Sequence, residues 1–488
     1  MRILNDLQIT NHGNIKGRRL VVELMETALQ AADPYRNACK LLKRQNNNLY
    51  VGNKLFEADN DPQSGINEYK LDDINNIFVV GAGKGVQRVA KALEEVLGEY
   101  LSGGCLIAKH GDPVILSKIK VVHGAHPIPD ENCIKGCSEI MKIAETVTEK
   151  DLVFTIFGNG GSSLLTMPED GISLEDVKRL TNIMQIEKGA STIDLNVIRN
   201  HIDKMKGGKL SRLFSKAQCV HIVITDPNHH VIQQERHDYY GLMEKNVWLH
   251  NLPDNSTFSM AIDILKKYEV ENIIPLSIKK FLQTASSECE TVKFQEFKNY
   301  KFRVFGIMPD SEHFFTAVCE KAKEKNIPCH ILTQTLHAEA SCCAKVICSI
   351  VKNIASYGQP LKKPVILLSS GEMLVAVEDS KGVGGRNQEF ALQAAFEIDG
   401  FHNIVVASAD SDGTDGPGGL RIEGAPGCLG GAIVDGFTLA EAKVKKIDIE
   451  EKIKNHDTSE TLWYLNCGMH IEQNISLNDI TIIYVSNE

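Results

Sequence analysis

Five short stretches of the chain bring together residue types that handle anions and hydroxyl groups. Gly81-Ala-Gly83-Lys84-Gly85 follows an apolar run and precedes a helical period. Its glycines let backbone N–H groups approach a ligand at a positive helix N-terminus, and Lys84 adds a point charge. The string is neither a dinucleotide fingerprint, since Val86 stands at the sixth position, nor a Walker loop, since Phe78 stands at the first glycine position. The plainer alternative is a tight turn with a solvated lysine. Gly158-Asn159-Gly160-Gly161-Ser162-Ser163 packs three glycines and two hydroxyls into six residues. Each glycine costs backbone entropy, so a polar ligand is the expected reason. From Asn196 to Lys209, Arg199, Lys204, Lys206 and Lys209 gather around Gly207-Gly208, as either a cationic loop or a solvated helix end.

Two further stretches lie toward the C-terminus. Ser370-Gly-Glu372 ends an apolar run, and Gly384-Gly385-Arg386-Asn387-Gln-Glu389 follows, offering N–H groups and a guanidinium to an anion. In Ala409-Asp410-Ser-Asp412-Gly-Thr-Asp415 the acids fall at spacings unlike an EF-hand, but Mg²⁺ held partly through water needs only one or two carboxylates. Cationic glycine loops plus an acidic loop form the inventory of phosphoryl transfer: cations and N–H groups for phosphates, carboxylates for Mg²⁺ and for the attacking hydroxyl. His229, His230 and His237 read as a hydrogen-bonded loop rather than a metal site, because adjacent histidines point apart and no acid or thiol completes a set.

These stretches need strand ends to hold them. Ile77–Val80, Leu152–Phe157, Val220–Thr225, Val365–Leu368 and Ile404–Ala407 are short β-branched runs, each followed by glycine or acid and separated by helical periods. That alternation predicts an α/β protein with a largely parallel, buried sheet, whose ligands bind beyond the carboxyl ends of strands. Helices are expected where apolar residues recur from Val86 to Leu97, closed by Gly98, from Leu174 to Met184 behind a Ser173 cap, and from Leu20 to Leu29 before Asp33-Pro34. Ala58 to Asn67 reads as an exposed loop. The 488 residues allow two or three domains, and a Lys-, Glu- and Ser-rich approach to residue 300 places the expected boundary at 295/296.

Composition narrows the classes. With 43% hydrophobic and 24% charged residues the chain is globular, and a net charge of −10 argues against non-specific binding to nucleic acid or anionic membrane. Thirteen cysteines without metal-ligand spacing read as packing thiols of a cytoplasmic protein, and no apolar run approaches the length of a membrane span.

In order and spacing, Asp33-Pro34, Gly83-Lys84, His126-Pro-Ile-Pro-Asp-Glu131, Gly160-Gly-Ser162, Asn196 with Arg199, Lys206-Gly207-Gly208, Gly371-Glu372, Gly384 to Glu389, and Asp412-Gly with Asp415-Gly-Pro417 resemble the class II glycerate 2-kinases over nearly the whole chain. The resemblance implies a large Rossmann-like N-terminal domain over 1–295, a smaller C-terminal α/β domain of MOFRL type over 296–488, and an active site in the cleft between them. It implies ATP and Mg²⁺ as cofactors and D-glycerate, or a close 2-hydroxy acid, phosphorylated at the 2-hydroxyl. Lys84 and Arg386 would then stabilise the transferred phosphoryl group, with Asp226 or Asp412 as proton acceptor or Mg²⁺ ligand. Gly83, Asn159, Gly160, Gly161, Ser162, Arg199, Lys206, Gly207, Gly208, Glu372, Asn387 and Asp415 would bind substrate or nucleotide. Two sequences depart from the family's strings, Thr225 to His237 and Cys467 to Asn474. An NAD(P)H-dependent hydroxypyruvate reductase and a non-catalytic binding descendant are the alternatives.

Overall fold

In the computed structural model, which describes residues 1–228, 236–309, 314–377, 380–472 and 479–487, the apolar runs become strands and the helical periods become helices. The chain divides into two units, one of residues 34–310 and one of residues 1–33 with 311–488.

In the unit of residues 34–310, a small antiparallel sheet of β1 (Leu42–Gln45), β2 (Asn48–Val51) and β3 (Asn67–Lys70) comes first. The main sheet holds β4 (Ile77–Ala82), β5 (Gly103–Lys109), β6 (Lys120–Gly124), β7 (Leu152–Phe157), β8 (Gln218–Val223) and β9 (Lys301–Gly306). Their order is β6-β5-β4-β7-β8-β9, parallel throughout. This is the doubly wound 3-2-1-4-5-6 order, which reverses between β4 and β7. Every residue of β7 is buried, as expected for a strand covered on both faces. The helix Val86–Leu97 ends at Gly98 (φ 55°), and Leu174–Thr181 starts behind the expected Ser173 cap, which Asp176 completes as a capping box.

The other unit carries a mixed sheet of β10 (Cys329–Leu336), β11 (Val365–Gly371), β12 (Ile404–Asp410), β13 (Gly431–Asp435), β14 (Gly468–Met469) and β15 (Asp479–Val485), ordered β10-β11-β15-β12-β13-β14. β15 lies antiparallel to both β11 and β12, so its first residue meets their last residues: Asp479 is in register with Gly371 and with Asp410. The helices Ala340–Tyr357 and Arg386–Glu397 contribute to this unit's core.

The expected boundary at 295/296 needs correction at both ends. β9 pairs along its whole length with β8 and so completes the first sheet. The helix Ile15–Ala31 goes with the C-terminal unit because Arg18, wholly buried, donates through Nε to Asp435 Oδ2 at 2.5 Å, and Asn14 N donates to the same carboxylate at 2.9 Å. Breaking a buried pair of this kind costs about 3–5 kcal/mol, which fixes the helix there. Among the described residues no helix is long and apolar enough to cross a membrane.

Candidate active site

The two glycine loops sit at the carboxyl ends of β4 and β7, the neighbouring strands where the sheet order reverses. They are built on each other. Lys84 N donates to Asn159 O at 2.8 Å, and a Cβ on Gly83 would come within 2.5 Å of Gly158 O. A Cβ on Gly158 would meet Lys84 O at 2.4 Å, and one on Gly161 would strike the Phe157 ring at 2.4 Å. Gly85 and Gly160 both adopt φ 77° at the start of helical turns, a conformation only glycine takes cheaply. The glycines thus have a structural reason beyond the tight turn that the sequence offered: two strand-to-helix turns interlock backbone to backbone. The result is a rigid rim carrying Lys84, Asn159 and Ser162 at the switch point.

Behind that rim lies a buried cationic group. Lys206, 1% exposed, donates to Asp203 Oδ2 at 2.5 Å and to Thr166 Oγ1 at 2.9 Å, and Lys209 pairs with Glu169 at 3.0 Å. The expectation that Lys206 binds a ligand therefore changes: its ammonium is enclosed and engaged, and Gly207-Gly208, at φ 61° and 79°, turn the chain against Thr291 and Val292 where no side chain fits. Arg199 is different. It is 8% exposed, donates from Nη2 to Thr181 Oγ1 at 3.0 Å, and has no ion pair within 4 Å among the described residues. Burial lowers its pKa to about 10, with Asp203 opposing, so it stays charged at neutral pH. One turn earlier, both amide atoms of the buried Asn196 lack a hydrogen-bond partner among the described residues. A buried cation with no carboxylate within 4 Å among the described residues, beside an unsatisfied amide, is what a bound anion with a hydroxyl group would complete.

His250 escaped sequence reading. It lies 88 residues from Ser162, yet its Nε2 is 2.9 Å from Ser162 Oγ. No local spacing could have revealed it. Asp226 follows β8 and its Oδ1 accepts from Asn228 N at 2.7 Å, an Asx turn at the end of the strand. His237 is buried, whereas His229, His230 and most of the altered sequence around them lie outside the described residues, as does Asn474 in the second altered sequence.

In the other unit, Arg386 begins the helix Arg386–Glu397 and sits over the three strand ends. Its Nε donates to Asp479 at 2.8 and 3.0 Å, its Nη2 to Asp410 at 3.0 Å, and its Nη1 lies 3.5 Å from Glu372. Burial works to lower its pKa, but Asp479 and Asp410 outweigh it and raise the pKa. Asp410 is pushed well above the usual carboxylate range by burial and by the charges of Asp412 and Asp479. Asp412 Oδ1 accepts from Thr414 N at 2.9 Å and Thr414 Oγ1 at 2.7 Å.

Asn387 and Asp415 do not face outward as expected. Asp415, 1% exposed, accepts from Asn387 N at 3.1 Å and Gln388 N at 2.8 Å, so it caps the helix that carries Arg386. Burial pushes it up to about 6 against those N–H groups. Asn387 is spent on Asp479, Asp415 and Ser408. Gly385 has the same origin, since a Cβ there would meet Asp415 O at 2.2 Å. Glu372 is the exposed member of the group, at 66% of its side chain.

The sequence matches a domain of unknown function (DUF4147) over residues 20–233 and the MOFRL family over residues 365–477. It is 32% identical over 447 residues to the glycerate 2-kinase of Pyrococcus horikoshii, covering 91% of this chain and 92% of that one. The chain belongs to the glycerate 2-kinase family. A D-glycerate 2-kinase of Thermotoga maritima is also 32% identical, over 80% of this chain and 86% of that one. The crystal structure of a Thermotoga maritima glycerate kinase superposes with a TM-score of 0.72 at 28% identity, covering 96% of this chain and 99% of that one. The family's kinase chemistry suits a strand-end rim bearing Lys84 and a second strand-end group bearing Arg386 and acids.

Proposed function

We propose that this protein transfers the γ-phosphoryl group of ATP to the 2-hydroxyl of D-glycerate, or of a close 2-hydroxy acid, giving 2-phosphoglycerate. The observation that carries the reading is the identity with the Pyrococcus glycerate 2-kinase along nine-tenths of both chains. The geometry supports roles for individual residues. Lys84, standing with Asn159 and Ser162 on the rim, answers phosphate charge at the switch point, where doubly wound sheets receive nucleotides. Arg199 and Asn196 meet the substrate's carboxylate and a hydroxyl. Arg386 answers the charge of the transferred phosphoryl group, held in place by Asp479 and Asp410. Asp226 or Asp412 accepts the proton of the attacking hydroxyl.

Among the described residues no group of three or more His, Cys, Asp or Glu side chains is arranged to hold a metal ion. Mg²⁺ demands less: one or two carboxylates suffice when phosphate oxygens and water complete its shell. The acids at the end of β12 fit, because Asp410 and Asp412 repel each other in a buried setting that a cation relieves. Asp412 with Asp410, or Asp226 in the other unit, would hold the ion. When bound it neutralises phosphate charge.

The reductase alternative finds less support. β5 ends in Lys109 rather than the acid that binds a dinucleotide ribose, and His110, next to it, is tied to Asp130 at 2.7 Å. Free thiols at all thirteen cysteines support a cytoplasmic location. The deciding experiment incubates the protein with ATP, Mg²⁺ and a panel of 2-hydroxy acids, follows ADP, and locates the new phosphate by NMR. Expected is ADP release with D-glycerate and phosphate at position 2. Absence of ADP release, with NAD(P)H oxidised by hydroxypyruvate instead, overturns the reading.

A further inference from the structure

His250 is fully buried and held in one orientation. Its carbonyl accepts from Gly208 N at 3.2 Å, its ring meets Phe157 edge to face at 5.0 Å, and the next residue, Asn251, is tied to Thr155 and Ser211. Burial, together with the charges of Lys206 and Arg199, holds its pKa well below the usual histidine range, so the ring is neutral. Of its two nitrogens, Nε2 faces Ser162 Oγ at 2.9 Å and Nδ1 has no partner among the described residues. One proton must be placed between them. An enclosed N–H without an acceptor is the rarer and costlier orphan, so the proton belongs on Nε2, which donates to Ser162 Oγ. The serine's own hydrogen is then released from the ring. Ser162 is only half-buried and stands on the rim with Lys84 and Asn159, whereas His250 is enclosed behind it.

We propose that His250 is a positioning residue that fills the acceptor side of the Ser162 hydroxyl, so that this hydroxyl donates its hydrogen to an oxyanion at the switch point, either a nucleotide phosphate or the carboxylate of the hydroxy acid. The inference rests on the kinase reading for the identity of those anions. The arrangement differs from nucleophile activation, in which the ring would take the serine proton. Here the ring gives a hydrogen bond and keeps its charge at zero.

The test compares wild type with Ser162→Ala, His250→Gln, His250→Asn and the double variant Ser162→Ala/His250→Asn, after circular dichroism and melting curves confirm folding. Glutamine places its amide near Nε2 and can still donate to Ser162, whereas asparagine places it near Nδ1 and cannot. His250→Gln should retain kcat/KM within about threefold. His250→Asn and Ser162→Ala should each lose about ten- to a hundredfold, the scale of one hydrogen bond to a charged group. The double variant should lose no more than about twofold beyond Ser162→Ala. The substrate whose KM rises in both single variants identifies the anion: ATP for a phosphate, D-glycerate for the carboxylate. Overturning results are a His250→Asn penalty that persists in full without the serine hydroxyl, or an acid limb of the pH profile lost in His250→Gln, which would make the ring a proton acceptor. If wild type releases no ADP, the kinase reading fails by itself. Calorimetric titration of the same proteins with ATP, inorganic phosphate and D-glycerate then tests the positioning: equal affinities in all of them overturn it, and weakening in His250→Asn and Ser162→Ala but not in His250→Gln supports it.

Discussion

Replacing Arg386 separates the cost of its charge from the cost of its shape. The guanidinium reaches three acids in different directions, Asp479 at 2.8 Å, Asp410 at 3.0 Å and Glu372 at 3.5 Å. Glu372 is largely exposed, so its bond adds little. Asp479 and Asp410 are 2% and 8% exposed, so their bonds are the ones that count. Lysine keeps a charge but cannot fork. Arg386→Lys therefore forfeits one buried charged hydrogen bond, about 1.5–3 kcal/mol. Arg386→Met leaves two buried carboxylates without their cation, about 3–5 kcal/mol. Those carboxylates answer by holding protons more tightly in the folded chain. A folded pKa raised above the unfolded value of about 3.9 adds stability as pH falls through the raised pKa. The Met deficit is therefore largest near pH 8 and shrinks toward pH 5. Calorimetric unfolding of both variants at pH 5, 6.5 and 8 measures it. A Met deficit below about 1 kcal/mol, or one independent of pH, would refute the account of Arg386 as the counter-charge of this cluster. In turnover, both variants should fall about a hundredfold or more in kcat, the scale of one preorganised donor.

Lys84→Met should lower kcat by about 10²–10³ with an unchanged melting temperature, because the turn itself is held by backbone bonds to Asn159; unchanged kcat makes Lys84 a turn residue only. Asn196→Ala should cost under about 1 kcal/mol in urea unfolding, since among the described residues neither amide atom has a partner to lose, while KM for D-glycerate rises roughly tenfold for want of a hydrogen bond. His221, buried against Thr155 at 2.7 Å, is lowered by burial to about 3. Its unfolded form takes up a proton below about pH 6.5 while the folded form does not, so stability should fall by about 1.4 kcal/mol per pH unit from there toward pH 3. His221→Gln should flatten that slope, as acid titration of unfolding will show; an unchanged slope places the sensitivity elsewhere.

What the sequence disclosed, and what it withheld, follows the range of the forces involved. The capping box of Ser173 and Asp176 spans three residues, and the strands around Ile77 and Leu152 announce themselves by continuous apolar runs; both are local, and both stand where expected. Arg18 and Asp435 are 417 residues apart, so no window of sequence could return the N-terminal helix to the C-terminal unit. The same limit hid the strand β15, which slips antiparallel between two parallel neighbours and brings Asp479 under Arg386. Asp415 and Gly385 carried the right types for ligand contact, but their chemistry is spent inward, on the helix that aims Arg386. Glycine-rich, charged strings therefore mark a site's framework and its reactive surface alike, because close backbone approach and anion binding ask for the same residues. Engagement of the polar atoms separates them: Lys84, Asn159 and Ser162 are left partly open and Asn196 is buried with both amide atoms unpaired among the described residues, while Lys206, Asn387 and Asp415 are closed off with their polar atoms engaged. A variant that disturbs an open residue should move kinetics before stability, and one that disturbs a closed residue should move stability first.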